Sequence, residues 1–157
     1  MDRDASTFVV VCEAAADQRT ACTLADRVIL QKSTRLDEAL LDSVRRWSGL
    51  DSGSTFVPWT IVKSEADRIG LRAHGHFDGS PGAPDARAAR RAFLLVSKTK
   101  PELAGVLLIR DTDGCIERRQ GLEQARDPRL GLEVRGCHRA TALHARVLAY
   151  RSLQPLG

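Results

Sequence analysis

Ala104-Gly105-Val106-Leu107-Leu108-Ile109-Arg110-Asp111-Thr112-Asp113-Gly114 is the stretch whose reading decides the fold. Residues 104–109 are apolar or small without alternation. A strand with one wet face alternates apolar and polar side chains. A short unbroken run is the mark of a strand covered on both faces, as in a parallel sheet. The run ends abruptly in charge. Phe8-Val9-Val10-Val11-Cys12 repeats the pattern near the start of the chain and ends on Glu13, with Asp17 four residues further on.

Helical spacing fills the ground between these strands. Thr20 to Gln31 places Ala21, Leu24, Ala25, Val28 and Ile29 on one side. Leu36 to Trp47 does the same with Leu36, Ala39, Leu40, Val44 and Trp47, and Gly49 follows as a stop signal. Phe56 to Val62 reads as a strand that Pro58 confines to an edge or a bulge. Gly70 to Pro84, with four glycines and two prolines, reads as a loop. Asp85 to Lys98 forms a helix with Ala89, Ala92, Phe93 and Val96 on one face and Pro84 at its start. Ile116 to Ala125 gives a short charged helix, Leu132 to Val134 a weak strand, and Arg139 to Tyr150 a last helix. Strands alternating with helices predict an α/β fold in three layers, a mainly parallel central sheet flanked by helices. Residues 8–12 and 104–109 are expected to be central, parallel and adjacent or nearly so. No repeat and no linker divides the 157 residues, so a single domain over 1–157 is expected.

Composition excludes several classes. Apolar residues make up 43% and charged residues 28%, a globular balance and not that of a disordered chain. No apolar run is long enough to span a bilayer, and the Met1-Asp2-Arg3-Asp4 start lacks a secretory signal, so a cytoplasmic protein with no membrane partner is expected. Cys12, Cys22, Cys115 and Cys137 form no C-x-x-C pair and read as reduced thiols. The net charge of +4 rests mainly on arginine, whose planar fork matches phosphate oxygens.

In a parallel α/β sheet, functional groups collect beyond the carboxyl ends of the strands. Both clear strands end there in carboxylates, Glu13 with Asp17 and Asp111 with Asp113. Converging carboxylates repel one another unless a cation neutralises them. Mg²⁺, or Mn²⁺, takes oxygen ligands, needs only one or two carboxylates, and completes its shell with water and substrate phosphate. Gly114 permits a sharp turn after the pair. Glu13 is a candidate general acid/base or ligand to a second ion. Arg110 and Arg118 flank the motif and are the expected phosphate contacts.

On Glu13, Asp17, Asp111 and Asp113 the chain resembles the Toprim family, shared by topoisomerases, bacterial primases, recombination proteins and nucleases of the overcoming-lysogenization-defect type. The resemblance covers residues 8–17 and 104–119. It implies a Toprim-like fold, metal ligation by Glu13, Asp17, Asp111 and Asp113, and a nuclease, a hydrolase cutting phosphodiesters of nucleic acid. Nuclease-type relatives often carry another acidic residue after the next strand. Here Val134 leads into Gly136-Cys137-His138-Arg139 with no Asp or Glu after Glu133. The expected consequence is a truncated or degenerate C-terminal end and weak activity or none. A degenerate module that binds nucleic acid or a protein partner, using Arg118, Arg119, Arg126, Arg129, Arg135 and Arg139, is therefore the alternative.

Leu107 to Gly114 also resembles the nucleophile motif of haloacid-dehalogenase-type phosphatases, with Asp111 attacking phosphorus. That chemistry needs a downstream lysine, and none follows Asp113. In His74-Gly75-His76-Phe77-Asp78 the two histidines alternate like metal ligands, but a complete ligand set is not evident. Trp47 and Trp59 are read as core residues and not as platforms for bases.

Overall fold

A computed structural model describes residues 5–72, 83–111, 113–126 and 146–150. Its centre is β1 (Ser6–Cys12), flanked on one side by β2 (Arg45–Ser48) and the short β3 (Val57–Pro58), and on the other by β4 (Leu103–Asp111) and then β5 (Arg146–Tyr150). All pairings are parallel. β2 takes the first half of β1, from Ser6 opposite Arg45, and β3 takes its end, with Val11 opposite Val57. Val11 is also level with Leu108 of β4, so the two expected central strands are indeed neighbours.

Two apolar clusters make the layers. Val9 and Val11 of β1 and Val106 and Leu108 of β4 pack against α3 (Trp59–Arg68) and α4 (Ala83–Thr99), through Val62, Ala86, Ala89, Ala92, Phe93 and Val96. The small alanines let α4 approach the sheet closely. The opposite face carries Val10, Cys12, Leu107 and Ile109, covered by Ala21 and Cys22 of α1 (Ala15–Lys32). α5 (Ile116–Arg126) lies alongside α4. The chain therefore leaves β1 towards one face and β4 towards the other. That divergence makes a topological switch point, where an open α/β sheet forms a crevice at its carboxyl edge. No helix among the described residues is long and apolar enough to cross a membrane.

Four sequence readings need correction. The strand expected over Phe56 to Val62 is only Val57–Pro58, and helix α3 begins at Trp59. Pro58 has no N–H with which to continue a ladder. Beyond it, Val62 and Ala66 bury one helical face, and packing overrides the strand preference of Ile61 and Val62. A Schellman motif closes α3: Leu71 N–H donates to the Ala66 carbonyl at 2.8 Å and Gly70, at φ 69°, to Asp67 at 3.1 Å.

The helix expected over Leu36 to Trp47 breaks into a 3₁₀ turn (Glu38–Leu40), a single turn α2 (Leu41–Val44) and strand β2. The edge of β1 recruits Arg45 to Ser48, and Trp47 packs on Phe8 with ring centroids 5.6 Å apart. Leu40 and Val44, expected inside, are exposed. α1 is longer than Thr20 to Gln31 and is rotated, burying Ala21 and Cys22 while Leu24 and Val28 face solvent. Finally, Arg146–Tyr150 is a strand and not the end of a helix. It pairs the free backbone edge of β4, which an apolar periodicity cannot reveal. The strand expected at Leu132 to Val134 lies outside the described residues, as do His74, His76, Asp78, Glu133 and Cys137.

Candidate functional site

At the carboxyl edge of the sheet, the register of β1 and β4 fixes what meets what. Val11 stands opposite Leu108, and two more residues set Glu13 level with Arg110, one position from Asp111. Neighbouring strands are about 4.8 Å apart, so the two strand ends share one edge. Glu13 is exposed on the bend that leads into α1. Asp17 is engaged locally: its Oδ2 accepts the Ala14 N–H at 3.0 Å and closes the start of the helix.

The turn after β4 gathers Asp111 and Asp113. Asp111 Oδ1 accepts the Asp113 N–H at 2.9 Å, a local turn that aspartate favours. Asp113 adopts φ 47° and Gly114 φ 75°, so the chain reverses over two left-handed residues. Arg118, on the first turns of α5, ties this turn shut. Its Nη1 donates to the Asp111 carbonyl at 2.9 Å and to Asp113 Oδ2 at 3.0 Å. Partial burial opposes the Arg118 charge, but the Asp113 hydrogen bond and the nearby Asp85 more than offset it and hold the guanidinium above its usual range.

Arg110 faces the layer of α3 and α4. Its guanidinium lies 5.3 Å from the centre of the Trp59 ring, and Nε is 3.2 Å from Asp85 Oδ1 without the alignment of a hydrogen bond. Trp59 is itself fixed by its indole N–H, which donates to the Ile109 carbonyl at 2.6 Å. Trp59 is thus a wall of the site and not merely a core residue. Asp85 was also missed. Its place after Pro84 signals a helix start, and nothing local announces that α4 brings it to the end of β4.

No family model, curated protein or solved structure matches this chain.

The donor set decides whether a divalent ion suits these residues. Asp111 and Asp113 offer hard oxygens in one turn, which suits Mg²⁺ in kind and number. No three of His, Cys, Asp and Glu gather around one point among the described residues. The fit is thus to a site of two carboxylates and water, one carboxylate of which is neutralised by Arg118. Cys12 and Cys22 are buried on the α1 face of the sheet, and that burial, reinforced for Cys12 by Asp17, pushes their thiols up to about 12 and about 11. Cys115 sits in the turn itself, its Sγ 3.2 Å from Glu117 Oε2. Cys12, Cys22 and Cys115 are all unbridged, as expected of reduced thiols.

Proposed function

We propose that the shared edge of β1 and β4 hydrolyses phosphodiesters of nucleic acid with Mg²⁺ or Mn²⁺, in the manner of a Toprim-type nuclease. The observation that carries this reading is the parallel, adjacent register of the two strands that end in Glu13 and in Asp111-x-Asp113. It supports a common centre at a topological switch point, the usual place for a ligand in an open α/β sheet. Asp111 and Asp113 are the residues that would hold the ion. A bound ion would supply charge neutralisation and a lowered pKa for the attacking water. Glu13, exposed and level with Arg110, takes or returns the proton. Arg110 and Arg118 receive the phosphate. Asp17 serves by fixing the start of α1 through the Ala14 N–H.

A second reading, a module that binds nucleic acid without cutting it, is favoured by one observation. The Asp113 carboxylate already has a cation, Arg118, at 3.0 Å. A cleavage assay on single- and double-stranded DNA and RNA, with Mg²⁺ or Mn²⁺ and beside Asp111→Ala, separates the two. Metal-dependent turnover lost in the variant supports the nuclease. Salt-sensitive binding without turnover supports the module.

A further inference from the structure

Arg110 and Arg118 come from different elements and carry like charges, so bringing them to one place needs a counter-charge. One carboxylate supplies it. Asp85, in the first turn of α4, lies with Oδ1 3.2 Å from Arg110 Nε and 3.7 Å from Arg118 Nε. Its side chain is only 17% exposed, against 24% and 28% for the two arginines. The remaining contacts hold the arginines from behind: the Trp59 ring under Arg110, the Asp111 carbonyl and Asp113 on Nη1 of Arg118. None of these contacts among described residues uses the Nη groups of Arg110 or Nη2 of Arg118. Those are the donors that an anion would take.

We propose that Asp85 is the positioning residue of this edge, gathering Arg110 and Arg118 so that both guanidinium groups meet the same backbone phosphate of a nucleic acid. The inference rests on the nucleic-acid reading given above. Asp85 touches no substrate. Its carboxylate sets where the two forks point, and the α4 backbone, packed on the sheet through Ala86 and Ala89, sets where the carboxylate is.

The sign of one measurement separates positioning from plain electrostatics. Removing a negative charge beside the arginines should strengthen binding to a polyanion if Asp85 acts only through its field. If Asp85 positions them, binding weakens despite the gain in positive charge. Labelled single- and double-stranded DNA is titrated with the full chain, in chelator, over a range of salt. Asp85→Asn should weaken binding about threefold or more and flatten the dependence of log K on log salt by one to two phosphates, roughly one per misaligned arginine. Asp67→Asn, the same charge change on the exposed side of α3, should bind as the wild type or slightly more tightly. Asp85→Glu should recover most of the loss. In an Arg110→Gln/Arg118→Gln background, Asp85→Asn should add nothing. Melting curves establish that each variant is folded. Asp85→Ser, which suits a helix start, takes the place of Asp85→Asn if that one melts below the assay temperature. Binding equal to or tighter than wild type in the Asp85 variant, with the arginine variants weakened, overturns the positioning role alone. Wild type and arginine variants of equal affinity overturn the nucleic-acid reading of this edge and the role of Asp85 with it.

Discussion

Two arginine–carboxylate clusters sit at opposite ends of the sheet, and they are built differently. At the amino end, Arg45 opens β2 and closes a complete fork on Asp26 of α1, with Nε to Oδ1 at 2.7 Å and Nη2 to Oδ2 at 2.6 Å. Its Nη1 donates to Asp42 at 2.6 Å, and Trp47 lies 5.9 Å from the guanidinium. The Asp26 hydrogen bond, against a smaller cost of burial, raises the Arg45 pKa. At the carboxyl end, Arg110 and Arg118 share Asp85 at 3.2 and 3.7 Å, without a fork. The difference lies in how fully each guanidinium is engaged. A guanidinium whose every nitrogen is engaged ties α1, α2 and β2 together and offers nothing to a ligand. Arg110 and Arg118 meet at Asp85 with no fork, and Arg118 pairs with Asp113 as well, an arrangement that suits the proposed phosphate contact.

The sharpest break in this comparison should come from catalysis. Asp111→Ala is expected to lower metal-dependent cleavage by at least ~100-fold, about 3 kcal/mol of barrier. Its urea midpoint should stay close to wild type, because Asp111 lies at a strand end and not in the core. Kinetics and urea unfolding of the same preparation check both halves. Asp26→Ala should do the reverse. It leaves Arg45 largely buried without its fork, at a cost of about 2–3 kcal/mol in urea unfolding, while DNA affinity is unchanged.

A middle-sized effect follows from the thiols. Cys12 and Cys22 have folded values of about 12 and about 11 against an ordinary 9.0. In the unfolded chain they ionise from pH 9 upward, whereas the folded chain keeps them neutral. The stability present below pH 9 should therefore decline progressively between pH 9 and about pH 12. Urea unfolding at stepped alkaline pH should show this slope, and Cys12→Ala should reduce it. Alkylation at mild pH, mapped by mass spectrometry, should reach Cys115 before either buried thiol. The smallest effect belongs to Arg118→Gln. Its pairs are partly exposed and carry less than about 0.5 kcal/mol of stability. A large loss of stability there would erase the distinction between the two clusters.

Much of this was legible in the residues. Val9-Val10-Val11 and Val106-Leu107-Leu108 are unbroken apolar runs because both faces of a parallel strand are covered, and a run of that kind needs no partner to be read. Ala89, Ala92, Phe93 and Val96 mark the buried face of α4 because helical spacing is a local property. The turn at Asp113-Gly114 follows from the backbone freedom of those two residue types. By itself, then, the sequence determined the α/β class, the two central strands and the acidic turn at the end of one of them. Tertiary structure decided the rest. β2 and β5 exist because the edges of β1 and β4 have backbone groups to satisfy, and no periodicity within Arg45–Ser48 or Arg146–Tyr150 encodes a partner's open edge. Asp85 and Trp59 reach the end of β4 only through the packing of α3 and α4, across separations at which pattern carries no information. Asp17 could equally have faced the acidic turn. It caps α1 instead, because the Ala14 N–H is three residues away and the Asp111–Asp113 turn reaches it only through the fold.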